Sequence, residues 1–162
     1  MGENKEHFMR FRFAVLVAVT SLLTVVSPAH AGPGAATDWA FVSRMAFTVP
    51  LATFSTTRVT GDPWFDWSTD GCSAPLVGDT GRSFDFREAC VRHDFGYRNL
   101  QLLENRYGSG RTYWSATNRK RVDRQFLTDM KAHCRGRSLV LRPTCNWWAD
   151  VFFRAVRIAG GP

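Results

Sequence analysis

An all-α, disulfide-stapled domain built around two long helices is the fold that this 162-residue sequence predicts. Three observations carry the prediction. Phe86, Cys90, Asp94 and Tyr97 recur at steps of four, four and three, and Val122, Phe126, Met130 and Cys134 recur at steps of four, which is the period of one helix face. All four cysteines lie between residues 72 and 145, and an even number in an exported chain implies disulfides. No internal repeat or low-complexity tract interrupts these stretches.

Residues 1–31 read as a leader. Lys5, Arg10 and Arg12 precede the run Phe13 to Val26, and Ala29-His30-Ala31 supplies the small residues a signal peptidase reads. The run is too short and too interrupted for a bilayer span of about 20 residues. The expected product is a secreted domain, residues 32–162. Removing the leader lowers the formal charge from +7 to +6. Such a charge favours an anionic partner, phospholipid or nucleic acid. The basic cluster Arg111, Arg119, Lys120, Arg121 and Arg124 is interleaved with the apolar stripe, and no nucleic-acid module is present. Nucleic acid is therefore not expected as a partner.

From the mature end, Thr37 or Asp38 caps a short helix running to Phe47, ended by Thr48-Val49-Pro50. Residues 51–59 carry too many threonines to assign. Gly61-Asp62-Pro63 marks a turn, and 68–82 is a loop long enough to need a reason. A helix beginning near Ser83 or Asp85 runs to Tyr107, before Gly108-Ser109-Gly110. A second, from Ser115 or Thr117 to His133, carries the 122–134 stripe. Gly136 and Pro143 mark a loop, and a last helix from Asn146 ends before Gly160, with Arg157 on its polar side. Four cysteines allow three connectivities. Pairing within each neighbourhood, Cys72 with Cys90 and Cys134 with Cys145, is the expected one. Zinc is the rival for these cysteines, but no Cys-x-x-Cys pair exists and an exporting route favours bridges.

The chemistry gathers between Phe65 and Tyr97. Asp70, the carbonyl of Gly71 and Asp94 are oxygen donors of the kind a hard cation such as calcium takes from a bent loop. His93, beside such an ion, points to metal-assisted hydrolysis. Asp123 lies at the edge of the apolar stripe. It either orients a histidine on the facing helix or pairs with Arg119 or Arg124.

Phe65-Asp66-Trp67-Ser68-Thr69-Asp70-x-Cys72, followed by Phe86-x-x-x-Cys90-x-x-His93-Asp94-Phe95-Gly96-Tyr97-Arg98-Asn99, resembles the secreted phospholipase A2 family of bacteria and fungi. Arg121-Val122-Asp123 resembles the family's second catalytic motif. The resemblance implies a small helical enzyme that uses calcium to hydrolyse the sn-2 ester of phospholipids at membrane, vesicle or micelle surfaces. It implies His93 as general base, Asp123 as its hydrogen-bonded partner, Asp70 and Asp94 as side-chain calcium ligands, and Gly71 as a carbonyl ligand. Tyr97 supports Asp123 or Asp94, or packs in the core. A monomer without an obligate protein partner is expected. The rival reading is a non-catalytic basic membrane-binding or antimicrobial protein on the same scaffold. Two departures from the pattern stand out: Gly71 replaces a larger residue, and the segment between Asp94 and Asp123 is lengthened. Leu102, Leu103, Tyr113, Trp114, Arg106 and Arg111 of that segment either border the lipid-facing side or pack over the helices.

Overall fold

The structure, a computed structural model, describes residues 34–72 and 78–159. The expected leader and its cleavage point lie outside the described residues, as does the middle of the 68–82 loop. Among the described residues there are five helices and no strand: α1 (Ala35–Phe47), α2 (Leu51–Val59), α3 (Arg87–Tyr107), α4 (Ala116–Arg135) and α5 (Arg142–Ala159). A lone bridge pairs Thr80 with Asp85. The all-α, disulfide-stapled domain is as the sequence predicts.

The helix ends differ from expectation for local reasons. α1 begins at Ala35, three to four residues early, and Gly34 rather than a hydroxyl or carboxylate side chain caps it. Residues 51–59 form a full helix, in which Ser55, Thr56 and Thr57 turn their hydroxyls onto carbonyls four residues back, at 3.1, 2.8 and 2.8 Å. The residues that obscured the pattern are thus satisfied within the helix. α3 starts only at Arg87. Before it, Gly81 and Phe84 exchange backbone hydrogen bonds, and the Phe84 and Phe86 rings stack 4.8 Å apart. α4 is capped as predicted, the Ser115 side chain accepting from the Asn118 amide at 3.2 Å. α5 begins at Arg142, four residues before Asn146, with Pro143 in its first turn. An absent N–H costs nothing there.

The main packings are α4 on α5, α1 on α3, and α3 on α4. α3 separates two apolar cores. Cys90 and Phe86 face one, with Phe126, Met130 and Phe152; Phe95 and Leu103 face the other, with Val42, Met45 and Phe54. Arg92 and Asp129, both buried, tie α3 to α4, with Arg92 Nε 2.7 Å from Asp129 Oδ2. Lys131 joins α4 to α5 through Asp150 at 2.8 Å. The disulfides are Cys72–Cys90 and Cys134–Cys145, with Cα separations of 5.3 and 5.6 Å. The first holds the 68–72 loop against α3 one turn before His93; the second joins α4 to α5. At Gly96 α3 packs tightly against α4: a Cβ there would lie 2.8 Å from Val122 Cγ1. Only glycine permits that approach.

Candidate functional site

Because α3 and α4 touch at Gly96 and Val122, His93 and Asp123 face each other across the same contact. His93 Nε2 lies 2.9 Å from Asp123 Oδ1. The Asp123 side chain is 0% exposed. Tyr97, one turn after His93, donates its hydroxyl to the same Oδ1 at 2.9 Å. Arg157 of α5 donates Nη1 to Oδ2 at 2.6 Å. Burial pushes the Asp123 carboxyl up, but the hydrogen bonds from His93, Arg157 and Tyr97 outweigh it and hold the group below the usual carboxylate range. Burial and the neighbouring carboxylate push the Tyr97 phenol up, so it remains a neutral donor. The His93 ring lies between Tyr97 and Phe126, with centroids 4.5 and 4.9 Å away. Rotation of the imidazole is thereby restricted.

His93 and Asp94 open on a cavity of about 290 Å³, together with Asp70, Gly71 and the Cys72–Cys90 bridge. The opposite wall is apolar and comes from α5: Phe152, Ala155, Val156 and Ala159. Asp94 Oδ2 accepts from Thr69 Oγ1 at 2.5 Å and from the amides of Asp70 and Gly71 at 3.2 Å each. Asn99, itself buried, ties the start of this loop to α3: it accepts from the Asp66 amide at 2.9 Å and donates to the Asp66 carbonyl at 2.7 Å. Gly71 has φ +71°, a left-handed conformation that explains glycine at this position.

Burial raises the Asp94 carboxyl, Thr69 opposes the shift, and the like charge of Asp70 adds to it. Asp70 meets Arg98 Nη2 at 2.5 Å. Two carboxylates close enough to repel, one half-buried, are stabilised by a cation between them. Among the described residues no cluster of three His, Cys, Asp or Glu side chains converges. The donors on offer are carboxylate and carbonyl oxygens, which suit calcium and not zinc. The residues fit a calcium ion.

All five residues singled out in the sequence therefore meet here: four line the cavity and Asp123 stands behind His93. Asp123 pairs with neither Arg119 nor Arg124 in a direct ion pair, but with Arg157. Sequence reasoning placed Arg157 on the polar side of its helix and missed this contact. Thr69 and Asn99 stood inside the quoted motif, yet only the fold assigns them partners. The lengthened segment packs over the helices. Leu103 is fully buried, Trp114 stands edge-on to Tyr97 at 5.3 Å, and Glu104 accepts from the amides of Tyr113 and Trp114 at 2.6 and 3.0 Å. Arg106 lies over the Trp64 ring, 4.0 Å from its centroid.

Residues 42–160 match the family model described as prokaryotic phospholipase A2. The chain is similar to a secretory phospholipase A2 of Beauveria bassiana, 39% identical over 119 residues, which is 73% of this chain and 56% of the relative. It is also similar to a secretory phospholipase A2 of Arthroderma benhamiae, 34% identical over 125 residues, covering 75% of this chain and 78% of the relative. The chain thus spans little more than half the length of the first of these relatives.

The depressed Asp123 carboxyl makes a prediction about acid stability. A carboxyl whose folded value lies below its unfolded one stabilises the fold above the unfolded value, near 3.8, and loses that contribution as pH falls through the folded value. Urea unfolding at neutral pH and below about pH 4 should show a larger acid loss in the native chain than in Asp123→Asn. Equal losses in the two proteins would contradict it.

Proposed function

The chain belongs to the prokaryotic phospholipase A2 family, and we propose that it hydrolyses the sn-2 ester of glycerophospholipids, with calcium, to a lysophospholipid and a free fatty acid. The observation that carries this reading is the 2.9 Å contact between His93 and Asp123 behind an apolar-walled cavity. With Nε2–H donated to Asp123, a neutral imidazole keeps Nδ1 as its basic nitrogen. Nδ1 orients a water and takes its proton as the oxygen attacks the ester carbonyl. Asp123 stabilises the imidazolium that forms, and that ring returns its proton to the departing alcohol oxygen. One water is consumed, and one acid and one alcohol leave. Ser68, Ser73 and Ser83 stand outside any Gly-x-Ser-x-Gly context, which supports direct attack by water rather than an acyl-enzyme.

Asp70, Asp94 and the Gly71 carbonyl would hold the calcium ion. When bound, the ion supplies a Lewis acid that polarises the ester carbonyl and offsets charge developing on its oxygen. The α5 wall receives the acyl chain, because it is the apolar side of the cavity.

The lipid surface is assigned to α5 in this reading, and not to the lengthened segment. Trp147, Val151, Arg154 and Ile158 follow one another at steps of four, three and four, so they share one outward face. Trp147 is 58% exposed and Ile158 82%. Leu139 and Val140, exposed just before α5, extend the apolar tract. Ala155 and Ala159, on the adjacent flank, line the cavity, so the tract borders its mouth. The formal charge of +6 left after removal of residues 1–31, and Arg154 within the tract, suit an anionic phospholipid surface. Export completes the proposal: the leader-like residues 1–31, the two disulfides and the relatives' description as secretory support it.

Three measurements test these points. Replacing His93 with asparagine should leave calorimetric calcium binding intact and lower fatty-acid release by about 100-fold or more, whereas Asp94→Asn should damage both. Near-normal hydrolysis by the His93 variant would refute the mechanism. Trp147→Ala should reduce turnover on anionic vesicles several-fold while sparing dispersed short-chain lipid; equal losses on both would remove α5 from the lipid surface. Intact mass of the secreted product should correspond to a chain beginning at Gly32, and retention of Met1 would exclude cleavage.

A further inference from the structure

α5 contributes more than an apolar wall. Val156 lines the cavity, and the next residue, Arg157, reaches back to Asp123. Among the described residues Asp123 has three direct donors: His93 and Tyr97 share Oδ1, and Arg157 holds Oδ2. Before proton transfer the imidazole is neutral, and Tyr97 is a neutral phenol. Arg157 is the donor of the three that carries a permanent charge.

We propose that Arg157 is a positioning residue for the dyad: its guanidinium fixes Oδ2, so that Oδ1 is aimed at His93, and it supplies the counter-charge of a carboxylate closed off from water. The proposal rests on the reading of Asp123 as the partner of His93. A buried ionised carboxylate that loses its cation is strongly disfavoured. It then takes up a proton, rotates toward other donors, or admits water. Each outcome weakens the acceptor that keeps the proton of the imidazole on Nε2 and leaves Nδ1 basic. The carboxylate is buried while the Arg157 side chain is 31% exposed, so the arginine reaches inward from the rim. Its contact with Oδ2 is through one nitrogen, Nη1. A lysine ammonium can replace a one-nitrogen contact, whereas a neutral amide cannot replace the charge.

The full chain, with saturating calcium and dispersed short-chain phospholipid, tests this through Arg157→Lys, Arg157→Gln, Asp123→Asn and the double variant Asp123→Asn/Arg157→Gln. Arg157→Gln should lower kcat by about 10- to 100-fold, the loss usual when a partner of a catalytic ligand is removed, with KM little changed. Arg157→Lys should restore most of it. In the Asp123→Asn background, Arg157→Gln should cause no further loss, because the carboxylate it serves is gone. A merely structural arginine would instead multiply its loss into both backgrounds, and that result, or wild-type kcat for Arg157→Gln, overturns the proposal. Should Arg157→Gln alone fail to fold by circular dichroism, the double variant decides: with the buried charge removed it should fold, and its failure to fold also overturns the proposal. Wild-type turnover by Asp123→Asn would refute the dyad itself, a different failure.

Discussion

A carboxylate with no access to water is the constraint around which this protein is arranged. Asp123 is tolerable inside the domain only because its charge is met on both oxygens. The donors come from α3 twice and from α5 once, while α4 carries the acid itself. Three helices must therefore arrive together. The Arg92–Asp129 pair, the Lys131–Asp150 pair and the Cys134–Cys145 bridge join members of the same three helices elsewhere. The contacts that hold the three helices together elsewhere thus also fix where the side chains of the site can meet.

His93 thus sits between two carboxylates of opposite electrostatic character. Asp123 is held ionised by an arginine and two other donors, whereas Asp94 is raised by burial and by the nearby charge of Asp70. One acid has an arginine among its donors, and the other, among the described residues, accepts only from a hydroxyl and two backbone amides. Environment, not residue type, sets the two acids apart. The excess of negative charge falls on the cavity side of the histidine, where an external cation has access, and the satisfied acid falls behind it.

What the sequence made legible was whatever obeys a local period or a close spacing. The stripe at 122–134 and the recurrence at 86–97 locate α3 and α4, and the short spacings of the cysteines identify both bridges. The His93, Asp94, Asp70 and Gly71 grouping follows from a loop tethered beside one helix turn. α2 was hidden because its hydroxyls, usually signs of irregular chain, bond back to their own helix. The early start of α5 was hidden by Pro143, which reads equally as a loop residue or a first-turn residue. Arg157 was beyond reach for a different reason. Its backbone position lies away from the apolar stripe, and a long flexible side chain bridges the difference. Nothing in one sequence relates position 157 to position 123.

Gly96 is not among the residues that line the cavity, yet it acts as the gauge block of the assembly. The missing Cβ lets Val122 come within 2.8 Å of where that atom would be, and the next residue along α4 is Asp123. A hydrogen bond of 2.9 Å has only a few tenths of an ångström to spare before it weakens. A methyl wedged between the helices would use up that clearance. The machining tolerance between His93 and Asp123 therefore depends on a single absent carbon in the seam beside them.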